Sequence, residues 1–323
     1  MTNAGKTVHH LPATPQTIQF GIFDAAIPAV LTIESGDTVT MECLSGGVEV
    51  MPQDQAGFPI PQALRAIHEA GLARIGTHMI TGPVAVRGAT PGDMLEIRIE
   101  AVDPGSDWGY CGIRPLAGTL PEDFPERFLS HIPVDRVRRT CRLPWGPELK
   151  LSPFFGIMGV SPPASHGRLS SKEPRAFGGN LDNKELVAGS TLYLPVLVAG
   201  ANFSAGDGHG LQGDGEVCVN ALEMSLNGRF TLVLHKAPDA GTPLLQYPRA
   251  ETPTHWITMG MNEDLDQAMK QALRQMIALI CSRTALSREQ AYQTCSLAVD
   301  FRVTQTVNGE KGVHGMLRKG MLF

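Results

Sequence analysis

Punctuation by glycine and proline limits this chain more than any other feature of its sequence. With 35 glycines and 24 prolines in 323 residues, the two types exceed their usual share of about 12%. They cut the first two thirds of the chain into segments too short for long helices. Within those segments one pattern recurs: an apolar run, a Gly-Asp turn, then a run rich in β-branched residues. Residues 29–34 lead into Ser35-Gly36-Asp37 and on to 38–41, and residues 82–89 lead into Pro91-Gly92-Asp93 and on to 94–99. Residues 192–201 run in the same way towards Gly206-Asp207. Strand, turn and strand in this order is the signature of a β-hairpin, and three copies suggest an internal duplication. The prediction is a mainly β fold: a β-sandwich or barrel-like body built from repeated hairpins over residues 1–222, followed by a smaller C-terminal α+β domain over 223–323.

Helical periodicity is concentrated late. Leu265, Met269, Leu273, Met276 and Ile280 recur at three- and four-residue intervals, one apolar stripe of a helix over 264–280. Ser287 with Glu289 and Gln290 behind it marks the start of a second helix ending near Cys295. Residues 63–70 read as a short helix, and residues 230–234 and 254–259 as strands.

Composition excludes several classes of function. Hydrophobic residues make up 42% and charged residues 18% of the chain, a globular balance with less charge than the usual quarter or so. A net charge of −5 without a basic cluster argues against nucleic acid. Arg136-Val137-Arg138-Arg139 is expected to be a solvated strand end. No run reaches the roughly 18 apolar residues that would span a bilayer, and residues 1–12 have no apolar signal core. No membrane partner is expected, and a soluble, cytoplasmic protein is. Cys43, Cys111, Cys141, Cys218, Cys281 and Cys295 are scattered without a CxxC pair, so neither a zinc ribbon nor a redox dithiol is written here. Cys218 stands out because it follows Glu216 by two residues.

Chemistry is densest in Gly206-Asp207-Gly208-His209-Gly210-Leu211-Gln212-Gly213-Asp214-Gly215-Glu216. Five glycines allow sharp turns that let the polar side chains between them converge. Convergent carboxylate and imidazole suit a metal site or acid–base catalysis, although Asp-Gly pairs also make plain turns. Gly178-Gly179-Asn180-Leu181-Asp182-Asn183-Lys184 is a second candidate loop, and His78 lies beside a strand. No Gly-x-Ser-x-Gly elbow, phosphate loop or dinucleotide fingerprint is present.

Five blocks, taken in order, resemble the acetamidase/formamidase family. They are Thr77-His78-x-x-Thr81-Gly82-Pro83, Gly88-Ala89-x-Pro91-Gly92-Asp93, Gly178-Gly179-Asn180-Leu181-Asp182, Gly189-Ser190-x-Leu192-Tyr193-Leu194-Pro195-Val196, and the run from Gly206 to Glu216. Asn202 and Gly210 depart from the residues usual at their positions. The resemblance implies a β-rich fold with a smaller α+β part, hydrolysis of small formamide- or acetamide-type substrates to carboxylate and ammonia, and a divalent metal, zinc ahead of calcium. A homo-oligomer, a dimer, is expected.

Amide hydrolysis needs a Lewis acid or oxyanion donors, an activated water and an acid for the departing nitrogen. Asp207 and His209, two apart on an extended segment, would point to one side and share the cation, with Asp182 as a further ligand. His78 is either another ligand or a substrate contact. Glu216, expected on a rigid strand 217–219, is the general base, with Asp214 as its rival. Asn180 and Gln212 offer amide groups to the substrate carbonyl or oxyanion, and Lys184 assists. Two alternatives stand beside this reading: a hydrolase of lactams or other cyclic amides, and a non-catalytic calcium-stabilised protein that binds a small solute.

Overall fold

The three strand–turn–strand repeats form corners that carry the chain from one sheet to another, not hairpins. In the computed structural model, which describes residues 6–53, 57–237 and 244–323, Leu31–Ile33 pairs in parallel with Met79–Val86 in a seven-stranded sheet. Thr38–Cys43 lies instead in a nine-stranded sheet, between Val8–Leu11 and Leu226–His235. Met79–Val86 likewise hands over to Met94–Pro104 of the nine-stranded sheet, and Thr191–Pro195 hands back to Phe203–His209 of the seven-stranded one.

Turn residues explain the difference. The Asp37 carboxylate accepts the backbone N–H groups of Thr7 at 2.9 Å and Glu34 at 3.1 Å. Asp93 accepts those of Thr90 and Ala237, each at 2.8 Å. Each carboxylate therefore ties its corner to a distant segment, which a closed hairpin turn would not do. The third corner lies earlier than expected, at Gly200, Ala201 and Asn202, with φ of 82°, 58° and 61°. Glycine and asparagine are the residues that tolerate this left-handed backbone.

The two sheets pack face to face over one apolar core. Val39, Met41, Leu95, Ile97, Phe230 and Leu232 of the nine-stranded sheet meet Ile80, Val84, Phe155, Ile157, Phe203 and Ala205 of the seven-stranded one. Phe230 anchors the contact, with its ring 5.5 Å from Phe155 and 5.4 Å from Phe203. The fold is thus mainly β, as expected, although the three repeats are corners rather than hairpins. A four-stranded sheet, Glu148–Lys150, Thr140–Arg142, Phe128–Asp135 and Trp108–Ile113, stands beside them. The basic stretch 136–139 is the turn between two of its strands.

Backbone pairing does not divide the chain at 222/223. Leu226–His235 lies inside the nine-stranded sheet, between Thr38–Cys43 and Met94–Pro104, and the same sheet continues through Arg249–Glu251, His255–Asn262, Lys311–Arg318 and Val299–Gln305. The helices fall where periodicity and caps place them: α1 at Gln62–Glu69, α2 at Leu265–Arg283 and α3 at Arg288–Ala298. Asp264 caps α2, and Ser287 with Gln290 forms a complete capping box on α3. Helix α2 packs against His255–Asn262 at Gly260, where a Cβ would collide with the α2 backbone at Ala272. None of the helices in the described residues is long and apolar enough to cross a membrane. All six cysteines are free, and the Sγ atoms of Cys111 and Cys218 are 3.5 Å apart.

Candidate active site

Alternation along Phe154–Gly159 sets Phe155 and Ile157 on one face and Phe154 and Gly156 on the other. The neighbouring strand Phe203–His209 keeps its register against Phe154–Gly159, with Ala205 opposite Met158 and His209 opposite Phe154, and its irregularity against Met79–Val86 lies between Phe203 and Ala205. Asp207 holds left-handed backbone at φ +56°, and His209 sets its ring edge-on against Phe154 at 5.1 Å. Asp182 follows the strand Gly178–Asn180 and is fixed by its N–H to the Gly156 carbonyl at 3.1 Å. The glycine pair expected in a loop is thus strand, and so is residue 206–209 of the glycine-rich run.

Glu216 is not on a strand: residues 217–219 form a turn, and Glu216 itself has φ of +45°. With Asp182 at +47°, three acidic residues of the cluster hold left-handed backbone. That is strain of a kind concentrated at functional sites. Glu223 completes the group. Its backbone pairs with Tyr110 in both directions at 2.9 Å, which draws it across from His209.

Four carboxylates therefore surround one imidazole. Asp182, His209 and Glu216 form one set able to hold a metal ion, and Asp207, His209 and Glu223 another. His209 Nδ1 lies 2.9 Å from Gln212 Oε1, and Gln212 Nε2 donates to the Asp182 carbonyl at 2.8 Å. Nδ1 therefore carries a proton, and Nε2 faces Asp207 at 3.4 Å and Glu223 at 3.5 Å. Buried and without hydrogen-bond partners are His209 Nε2, Asp182 Oδ1, Glu216 Oε2 and Asn180 Oδ1. Orphaned polar atoms in a native interior call for a ligand. Gly156 keeps the space between them open, since a Cβ there would stand 2.7 Å from Asp207 Oδ2 and 2.9 Å from His209 Cε1.

Electrostatics agree. Burial, then the neighbouring Asp182, pushes Glu216 well above the usual carboxylate range, and burial raises Glu223 to about 8. Burial also works against charge on His209, but Glu223 and Asp207 outweigh it and hold the imidazolium far above its ordinary range. A single imidazolium leaves the four acids under-compensated, whereas a divalent cation would satisfy them. The donor set fits a metal.

Asp207, Glu216, Glu223, Asn180 and His78 line a cleft of about 710 Å³, so residues from the distant blocks 77–83, 178–182 and 206–216 do converge. His78 is held through Nδ1 by Ser171 Oγ at 2.9 Å. Three other candidates are committed elsewhere. Gln212 spends its amide on His209, Asp182 and the Thr304 carbonyl, leaving nothing for a substrate. Lys184 pairs with Asp214 at 3.0 Å, and Arg302 approaches the other Asp214 oxygen at 3.6 Å, so Asp214 is a neutralised ion-pair partner outside that cleft. Asn180 donates through Nδ2 to the Lys172 carbonyl at 3.2 Å and shows its acceptor, not its donor, as the free atom. Sequence reasoning missed Glu223, Gly156 and Asn308, whose amide donates to Asp182 Oδ2. None of the three stands in a motif.

Comparison with known proteins follows the same line. The sequence profile of the Acetamidase/Formamidase family matches residues 12–172 and 164–313. An acetamidase crystal structure from Bacillus halodurans superposes with a TM-score of 0.82 at 29% identity, covering 96% of this chain and 97% of that one. A formamidase of Methylophilus methylotrophus is 27% identical over 254 residues, 62% of this chain and 60% of that protein. An acetamidase of Mycolicibacterium smegmatis is 28% identical over 257 residues, 61% of each. The match thus spans about three fifths of the length of these curated relatives.

Proposed function

The chain belongs to the acetamidase/formamidase family, and from that premise we propose that it is an amidohydrolase cleaving a linear amide to carboxylate and ammonia with the help of a divalent cation. One observation carries this reading: the unpartnered Nε2 of buried His209, aimed between Asp207 and Glu223 beside the gap that Gly156 leaves. Relatives named formamidase and acetamidase support the amide as substrate. The imidazole among the donors favours zinc over calcium, whose sites are built from oxygen.

Asp207, His209 and Glu223 would hold the ion, which when bound supplies Lewis acidity at the substrate carbonyl. Asp182 then serves beside Glu216 rather than as a ligand, the two carboxylates grouped on the other side of His209. Glu216, on the cleft floor, takes the proton of the attacking water and returns it to the departing nitrogen, as one base of raised basicity can do in both steps. Asn180 Oδ1 accepts an amide N–H of the substrate and so orients its carbonyl. His78, fixed at Nδ1, keeps Nε2 for the developing oxyanion.

Ammonia release from formamide, acetamide and longer amides, by metal-stripped and zinc-restored protein, tests the proposal. Release that disappears on stripping and returns with zinc is the expected result. Ring opening of a lactam without ammonia release from any linear amide would favour the cyclic-amide alternative, and a calcium-loaded protein that turns over neither would favour solute binding.

A further inference from the structure

We infer that the physiological substrate is an amide several times larger than acetamide and that its far end carries a carboxylate. The inference rests on the amide-hydrolysis reading above and concerns the part of the cleft remote from Glu216. Acetamide has four heavy atoms, and at about 30 Å³ for each, the share of one water in the liquid, it needs roughly 120 Å³. The cleft offers about 710 Å³, which is the range of sites for ligands of ten or more heavy atoms. A site evolved only for the smallest amides would leave most of this volume to water and could not use it for binding energy.

The lining changes character from floor to mouth. Acids and amides crowd the floor, as described above. The walls carry apolar side chains, among them Ile75, Ile113, Leu116 and Phe128, and Ile75, Leu116 and Phe128 stay exposed in the free protein. Arg114, Arg127 and Lys172 also line the cleft, against Glu49 as the one acid outside the floor. These cations come from three separate segments. Neither the Arg114 guanidinium nor the Lys172 ammonium has a hydrogen-bond or ion-pair partner among the described residues, in contrast with Arg87, Arg98, Arg138, Arg139 and Arg302. Arg127 is anchored by the backbone carbonyl of Glu49, which positions its charge without neutralising it. Anchored or unpaired cations above an apolar wall are suited to a carboxylate on an aliphatic or aromatic stem. In a chain of net charge −5, their gathering here is selective.

The test uses the zinc-restored full chain and three substrates: acetamide, hexanamide, and adipamate, the monoamide of hexanedioate. Hexanamide reads the apolar wall and adipamate adds the carboxylate. The expected kcat/KM order is adipamate above hexanamide above acetamide, with adipamate at least tenfold better than hexanamide. In an Arg114→Met/Lys172→Met double variant the adipamate-to-hexanamide ratio falls about tenfold, and in Arg114→Lys/Lys172→Arg it is largely kept. A ratio near one in the unmodified protein, or a ratio untouched by the methionine substitutions, would overturn the inference. Calorimetric binding of adipamate reads the mouth apart from the chemistry. Binding weakened tenfold by the methionine variant, with no ammonia from any amide, would sustain the anionic ligand and defeat the hydrolase; ammonia release without adipamate preference would do the reverse.

Discussion

His209 and Gln212, three residues apart, fix each other: the ring Nδ1 lies 2.9 Å from the amide Oε1, and this single bond decides which imidazole nitrogen is free. The Gln212 amide is itself locked by the carbonyls of Asp182 and Thr304, so it cannot follow the ring without giving up two further contacts. Partners of this kind typically contribute 10–100-fold in metal affinity. Gln212→Ala is expected to weaken zinc binding by roughly that factor while leaving the fold intact, as measured by competition with a chromophoric chelator. Unchanged affinity would remove His209 from the ligand set.

Gly156 offers a more direct test of the metal centre. A methyl group at this position enters the space among Asp182, Asp207 and His209, yet the strand itself, paired on both sides, accepts alanine without backbone strain. Gly156→Ala should lower zinc stoichiometry well below that of the unmodified protein with near-native circular dichroism. Full metal content in a folded variant would show that the ion lies elsewhere.

His314 makes stability depend on pH. It is fully buried, its Nε2 has no partner, and burial lowers its pKa from 6.5 to about 4. Between those values the unfolded chain binds a proton that the folded chain refuses, so this contribution to stability is complete above pH 6.5 and is lost as pH falls towards 4. The loss by pH 5 is about 2 kcal/mol at 1.36 kcal/mol per unit. His314→Gln, which can still meet Thr304 Oγ1, should lose less stability between pH 7 and pH 5 than the unmodified chain in urea titrations. Equal losses would show that His314 titrates normally.

Legibility in the sequence followed how local each determinant is. Helices α2 and α3 could be placed closely because stripe and cap both lie within the element. The Gly-Asp corners were legible as turns but not as corners, because Asp37 and Asp93 reveal that the chain bends and not which sheet receives it. Thr7 and Ala237, the distant residues they bind, leave no local trace. The same holds at the site. Asp207 and His209 declared themselves by spacing, and Asn180, Asp182 and Glu216 by glycine-rich surroundings. Glu223 owes its place to backbone pairing with Tyr110, more than a hundred positions earlier in the chain. Lys184 and Asp214 shared the suggestive surroundings yet neutralise each other, a long-range pairing that composition cannot show.

Glu216 and Asp214, two positions apart, remain the sharpest comparison for the chemistry. Glu216 is buried at the cleft floor with Oε2 unpartnered, while Asp214 is partly exposed and held by Lys184 and Arg302. Glu216→Gln keeps size and polarity but cannot take a proton, so kcat should fall by roughly 10² to 10⁴, with zinc content preserved because Asp207, His209 and Glu223 are untouched. Asp214→Asn breaks one exposed ion-pair cluster, worth about 0–1 kcal/mol, and should leave kcat within a few fold. Parallel measurement of kcat and bound zinc separates the cases. Loss of zinc in Glu216→Gln would make Glu216 a ligand instead of the base, and loss of turnover in Asp214→Asn at full zinc occupancy would transfer the base to Asp214.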